Sequence, residues 1–313
     1  MPSDRNHGTS RAPRNRTLTL SESDAARYRA DLRKKGSLES GRDSRLISGD
    51  AMEQLPALRS ESFDLLFCDP PYNLTKRFGE NSFRSKTTDA YETWLDSWLT
   101  LCVPLLKQNA SIYICGDWRS SAAIQRVGSK YLKLQNRITW EREKGRGAKA
   151  NWKNASEDIW FFTVSNDFTF NLEAVKQRRR VIAPYRENGK PKDWNESSDG
   201  NFRDTHPSNI WTDITVPFWS MPENTDHPTQ KPEKLLAKII LASTNPGDMI
   251  LDPFAGSGTT AVVAAKLGRE FVAIESDENY CLVAAKRLEM AETDATIQGF
   301  EDGVFWERNS QPK

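Results

Sequence analysis

Residues 249–276, MILDPFAGSGTTAVVAAKLGREFVAIES, decide the fold. An apolar run ends at Asp252, small residues turn the chain, and Ala261 to Leu267 continue as a helix before a second apolar run ends at Glu275. Strand, glycine turn, helix and strand make one crossover unit, which places two strands in parallel. Gly256 and Gly258 let the backbone approach a ligand at the carboxyl edge, where open sheets bind ligands. The third glycine of a dinucleotide fingerprint is missing, and no Gly-Lys-Ser/Thr follows. NAD and ATP therefore lose ground to a nucleoside-type ligand. Glu275 stands 23 residues after Asp252, about where an acid commonly accepts hydrogen bonds from ribose hydroxyls. The plain alternative is tight helix–strand packing at the glycines and a solvent-facing cap at Glu275.

A second informative stretch is FDLLFCDPPYNLTKRFG, residues 63–79. Phe63–Cys68 reads as a buried strand, and Asp69-Pro70-Pro71-Tyr72 punctuates its end. Two prolines restrain the backbone and remove two N–H donors. Alone, this is equally a rigid turn with Asp69 as a cap and Tyr72 as packing. Around these two stretches, SRLISGDAMEQLPAL predicts a strand at Arg45–Ser48, a turn at Gly49-Asp50 and a short helix. ASIYICGD, NRITWERE and EDIWFFTV predict further strands. YETWLDSWLTLCVPLL carries Tyr91, Trp94, Leu95, Trp98, Leu99 and Cys102 at helical spacing, a core stripe. PEKLLAKIILAST and DENYCLVAAKRLEMAE read as helices, as does LSESDAARYRADLRKKG, with Ser21 as its cap. Residues 1–17 read as a flexible basic tail, 74–90 as a mobile loop, and 165–226 as a long stretch with little periodicity. Alternating strands and helices give an α/β fold with a doubly wound, mostly parallel sheet.

The 313 residues are 37% hydrophobic and 28% charged, suiting a globular chain with a sizeable core. No apolar run is long enough to span a bilayer and no signal peptide is evident, so a cytoplasmic protein is expected. The four cysteines are scattered and far from the three histidines, so no metal site is expected. The net charge of +1 hides segregation: residues 1–36 carry nine Lys/Arg against four Asp/Glu, and residues 137–192 carry thirteen against seven. Such asymmetry marks either a polyanion-binding face or a solvated surface.

With DPPY at 69–72, a basic stretch, HPTQKP at 227–232 and DPFAGSGTT at 252–260 in that order, the chain resembles the circularly permuted β group of S-adenosylmethionine-dependent DNA amino-methyltransferases. These enzymes methylate adenine N6 or cytosine N4. The resemblance spans roughly residues 45–290. It implies a Rossmann-like methyltransferase domain with a catalytic half at 41–164, a target-recognition region at 165–226 and a cofactor-binding half at 227–295. Residues 1–40 form a basic tail and helix, and 296–313 a C-terminal tail, both without a family counterpart. The implied catalytic residues are Asp69, Pro70, Pro71 and Tyr72. The implied cofactor loop is Asp252, Phe254, Ala255, Gly256 and Gly258, with Glu275 as the ribose acid. Thr229, Gln230 and Lys231 become candidate contacts to the methionine part, and Asp50 a candidate near the cofactor adenine. His227 and the two prolines of HPTQKP equally serve to shape a turn.

An exocyclic amine on a nucleobase is a poor nucleophile, because its lone pair is delocalised into the ring. Asp69 and the Pro70 carbonyl can accept its two N–H bonds and aim the lone pair at a methyl donor, which is catalysis by positioning. Tyr72 supplies a π face for a base flipped out of duplex DNA. Arg142, Lys144, Arg146, Lys149, Lys153, Arg178, Arg179 and Arg180 are candidate phosphate contacts, and Lys76 with Arg77 lie closer to the expected DNA channel. By family analogy Asp-Pro-Pro-Tyr favours adenine N6 over cytosine N4. The rivals are methylation of an RNA, protein or small-molecule amine, and a DNA-binding module without catalysis. A homodimer and a separately encoded cognate restriction endonuclease are partners that the resemblance allows.

Overall fold

Phe63–Cys68 is buried at all six positions, as a strand covered on both faces must be. In the computed structural model, which describes residues 12–35, 37–39, 44–78, 81–142, 150–181, 185–192, 194–197 and 200–307, it lies mid-sheet. The sheet strands, in chain order, are β1 (Ser37–Glu39), β2 (Arg45–Ser48), β3 (Phe63–Cys68), β4 (Leu106–Gly116), β5 (Lys133–Glu141), β6 (Ser156–Thr163), β7 (Ile210–Trp211), β8 (Met249–Asp252) and β9 (Glu270–Glu275). Their spatial order is β1-β2-β9-β8-β3-β4-β6-β5-β7. From β2 to β4 every neighbouring pair is parallel; β6 runs antiparallel between β4 and β5. The expected α/β architecture with a mostly parallel sheet is present.

The two strands that come after residues 165–226, β8 and β9, insert as a pair between β2 and β3, with Ile250 opposite Leu65 and Leu251 opposite Leu66. Helices α1 (Glu22–Lys35), α2 (Ala51–Gln54), α3 (Thr88–Cys102), α4 (Ser121–Gly128), α5 (Glu233–Ser243), α6 (Thr259–Lys266) and α7 (Glu278–Ala291) flank it. One face carries Leu65, Phe67 and Phe271 against α5, α6 and α7. The other carries Leu66, Ile112 and Ile274 against α3 and α4. The α3 stripe is the expected one: Tyr91, Leu95, Trp98, Leu99 and Cys102 are buried. All four cysteines are buried free thiols. Among the described residues no helix is long and apolar enough to cross a membrane.

Four expectations change. Residues 165–226 are not irregular: strands at Gln177–Arg180, Asn195–Ser197 and Gly200–Thr205 join a second sheet. Of the expected C-terminal tail, residues 308–313 lie outside the described residues; the part before them is no separate tail, because Val304–Trp306 pairs in parallel with Gln177–Arg180, and Phe305 and Trp306 are buried there. Distant pairing of short strands leaves no local periodicity to read, which is why neither is visible in the sequence. Of the expected N-terminal tail, residues 1–11 lie outside the described residues. Its end is docked, with N–H bonds from Arg16 and Leu18 to the carbonyls of Trp219 and Asn224. Within 74–90 a hairpin pairs Lys76–Phe78 with Asn81–Phe83.

Gly258 opens α6 in the left-handed region, with φ 76°, and a Cβ there would lie 2.5 Å from the Ala284 Cβ of α7. Gly247 has φ 84°, and a Cβ there would meet nothing within 4 Å. Gly258→Ala is therefore expected to cost about 2–4 kcal/mol, from strain plus overpacking, and Gly247→Ala only about 1 kcal/mol. Urea denaturation midpoints of the two variants test the difference.

Candidate active site

Five neighbouring parallel strands bring an acid to the same sheet edge. Asp50 follows β2 by two residues, Glu275 ends β9, Asp252 ends β8, and Asp69 and Asp117 directly follow β3 and β4. Because β6 is antiparallel, its beginning reaches this edge too and delivers Glu157. A cavity of about 400 Å³ runs along the edge, from Asp50 and Glu275, past Asp252 and Gly256, to Asp69 and Glu157. That size suits a small ligand.

The loop after β8 is built around two carboxylates, the buried Asp252 and the half-buried Glu275. Asp252 accepts the Phe254 N–H at 3.0 Å and the Thr260 hydroxyl at 2.5 Å. Burial pushes its carboxyl up to about 7, against the opposing pull of those two bonds. Glu275 accepts the N–H of Gly256 at 2.7 Å and of Asp277 at 2.9 Å, and burial raises its pKa as well. Gly256 is a close-approach position: a Cβ there would meet the His227 ring at 3.0 Å, at φ 54°. His227 in turn packs edge-on against Tyr280, 4.4 Å between ring centres. Phe254 packs on Trp98 at 5.2 Å, and Ala255 is buried behind it. The buried Trp98 Nε1, in the cavity wall, has no hydrogen-bond partner among the described residues. Acids, apolar walls and an unpartnered donor around one cavity fit S-adenosylmethionine, which carries ribose hydroxyls, an adenine and an amino acid.

At the other end the prolines do what restrained backbone can do. The Tyr91 hydroxyl donates to the Pro71 carbonyl at 3.0 Å, and the Leu74 N–H to the Tyr72 carbonyl at 2.6 Å. The Pro70 carbonyl accepts from no donor among the described residues. The Asn73 N–H bonds Ser120 Oγ at 3.1 Å, and Ser120 N–H bonds Asp117 at 2.9 Å, tying this turn to the end of β4. Tyr72 is half-buried, and its hydroxyl lies 2.9 Å from Asp69 Oδ1 and 3.1 Å from Glu157 Oε2. Burial and both carboxylates raise its pKa well above the usual phenol value, so it remains a donor. Lys231 Nζ lies 2.5 Å from Asp69 Oδ2 and 3.3 Å from Glu157 Oε2. The second oxygen of Glu157 is paired with Arg142.

Several candidates take other roles than expected. Lys231 points to Asp69 rather than to the glycine loop. Gln230 spends its carboxamide on Thr225 and the Glu223 carbonyl, holding the turn. Thr229 donates its N–H to His227 at 3.4 Å and lines the cavity. Asp50 caps α2 through the Met52 N–H at 2.7 Å while bordering the cavity. The expected cationic face is also thinner than its sequence suggests. Arg142 is bound to buried Glu157, and Arg178 makes two 2.8 Å bonds to Asp204. Arg180 is exposed over the Phe202 ring, Arg179 is 4.0 Å from Glu307, and Lys153 is exposed. The backbone of Lys76 and Arg77 lies in the hairpin; Lys144, Arg146 and Lys149 lie outside the described residues. Sequence reading misses Glu157, whose signal is an acid opening the strand SEDIWFFT.

Together, the parallel sheet, the glycine loop and the Asp-Pro-Pro-Tyr turn define an amino-methyltransferase site. Residues 63–286 match the model of a DNA methylase family. The chain is 36% identical over 253 residues to the DNA adenine methyltransferase YhdJ of Escherichia coli K12, covering 79% of this chain and 83% of that protein. It is 33% identical over 262 residues to the type II methyltransferase M.HpaI of Haemophilus parainfluenzae, covering 83% and 77%. Among solved structures, the M1.HpyAVI–SAM complex superposes with a TM-score of 0.54 at 25% identity, over 78% of this chain and 98% of that one. This chain belongs to the N6/N4 DNA methylase family.

The raised Asp252 pKa carries a sign for stability. Its folded value, about 7, exceeds the unfolded value of about 3.9, so its contribution is fully present below about pH 4 and lost as pH rises through 7. Asp252→Asn removes that dependence. The stability difference, wild type minus variant, is expected to fall across this window and stay level above it, measured by urea unfolding at several pH values.

Proposed function

We propose that this DNA methyltransferase transfers the methyl group of S-adenosylmethionine to the exocyclic N6 of adenine in duplex DNA, acting on a base flipped into the Asp69–Tyr72 site. The observation that carries the reading is the Pro70 carbonyl, which accepts no bond among the described residues, beside Asp69 at the end of the strand that pairs with β8. Two acceptors of fixed direction match the two N–H bonds of a primary amine. When bound, S-adenosylmethionine supplies an electrophilic methyl group on a sulfonium sulfur, and Asp252, Gly256 and Glu275 are the residues that would hold it.

The chain's own residues do the rest. Asp69 accepts one N–H and orients the nitrogen, and the Pro70 carbonyl accepts the other. Neither need remove a proton beforehand, since the nitrogen becomes acidic once it has gained a fourth substituent. The Tyr72 hydroxyl anchors its ring to Asp69 and Glu157, which presents the ring face for stacking. The name of YhdJ as a DNA adenine methyltransferase supports adenine over cytosine. The name of M.HpaI as a type II methyltransferase supports a modification enzyme paired with a restriction endonuclease. In this reading residues 165–226 read the target sequence, Lys153, Arg179 and Arg180 contact phosphates, and the enzyme works in the cytoplasm. A homodimer is part of the same reading.

Asp69→Ala is expected to lower methyl transfer to DNA by about 10²–10³-fold while the protein still binds S-adenosylmethionine. Nucleoside analysis of methylated DNA is expected to yield N6-methyladenine; N4-methylcytosine would overturn the choice of base.

A further inference from the structure

The position that the target amine must take is already held by an amine. Lys231 Nζ donates to Asp69 Oδ2 at 2.5 Å, and the side chain is 5% exposed. It therefore rests against the oxygen that the substrate N–H needs. Asp69 Oδ1 accepts from Tyr72, so each oxygen of this carboxylate already accepts one bond in the resting arrangement, and the ammonium holds the side of Oδ2 that it faces. A base amine is neutral and cannot displace a buried ammonium unless the ammonium finds another anion, because an unpaired buried charge is strongly unfavourable.

Such an anion stands next to it. Glu157 Oε2 is 3.3 Å from Lys231 Nζ, its side chain is 3% exposed, and its other oxygen is tied to Arg142. Two carboxylates and two cations make a neutral quartet, so the lysine can change partner without changing the net charge of the pocket. Tyr72 bridges the same two carboxylates. Its hydroxyl can remain on Asp69 Oδ1 when the lysine occupies Glu157, leaving Asp69 Oδ2 for the amine. Burial opposes the charge on Lys231, but Asp69 and Glu157 outweigh it and hold the pKa above the usual lysine value.

We propose that Lys231 is a two-seat positioning residue, resting on Asp69 and moving to Glu157 when the target amine arrives, so that Glu157 releases the catalytic carboxylate for the base. The inference rests on the reading that Asp69 accepts that amine. Glu157 is then a positioning residue, acting through Lys231.

Two experiments test it. Thermal stability of the ligand-free Asp69→Asn, Glu157→Gln and double variants asks whether either carboxylate can serve the lysine. Each single variant leaves one seat, so the double variant is expected to lose clearly more in Tm than the two single losses added. A double variant that fails to fold while both singles fold is the same outcome. Additive losses, or an Asp69→Asn variant that carries the whole loss alone, would overturn the proposal. The second measurement uses duplex DNA with 2-aminopurine at the mapped target position. Glu157→Gln is expected to weaken the flipped state about 10-fold or more, equivalent to one decade in the equilibrium constant. The KM for S-adenosylmethionine is expected to stay put, and Glu157→Asp to restore part of the flipping. Flipping at the wild-type level in Glu157→Gln would also overturn it. If the wild-type protein transfers no methyl group to DNA, the functional reading fails, and the stability comparison still decides the two seats.

Discussion

The parallel pairing of β8 with β3 is the constraint on which the rest depends. It sets Leu251 beside Leu66, so Asp252 and Asp69, far apart in the chain, follow side by side at one edge. The glycine loop and the Asp-Pro-Pro-Tyr turn each follow one of these strands. Because side chains alternate along a strand, a slip of one residue would turn Leu65 and Leu66 to the wrong faces and dismantle both core layers. Packing of the two layers therefore holds the chemistry in register.

That register concentrates acids where a low dielectric makes them costly, and the structure answers each differently. Asp252 is met by a hydroxyl and an N–H rather than a cation, and burial raises its pKa. Glu275 is met by backbone N–H groups. Asp69 and Glu157 are met by Lys231 and Arg142. Behind the loop, Arg287 joins the Ser257 carbonyl, Thr259 and Glu233, linking α7, α6 and α5 beneath the cavity. A floor of carboxylates met by N–H and O–H donors at one end and a charge-balanced quartet at the other distinguish the two halves of the cavity.

Much of this is legible from local pattern. The strands at Arg45–Ser48 and Phe63–Cys68 have the expected bounds, because short apolar runs closed by turn residues leave little latitude. The α3 stripe and the Ser21 cap, which accepts the Asp24 N–H at 3.0 Å, are equally local signals. The second sheet is not legible, since Gln177–Arg180 reads as QRRR, a charge run, and its partner Val304–Trp306 is more than a hundred residues away. The same sheet explains why the arginine run overstates the cationic face: Asp204, on the neighbouring strand, neutralises Arg178.

By itself the sequence determined the α/β class, the order of motifs, and Asp69, Asp252 and Glu275 as acids at strand ends, because these follow from residue type and short spacing. Only the tertiary structure decided which groups face those acids. Its motif makes Lys231 a neighbour of the cofactor, yet in the fold it is the partner of Asp69. Its basic surroundings make Arg142 a phosphate contact, yet in the fold it is the partner of Glu157. Glu157 itself carries no signal beyond one acid at the head of a strand. Its place in the site comes from the antiparallel course of β6, which brings a strand's beginning to the edge where its neighbours end.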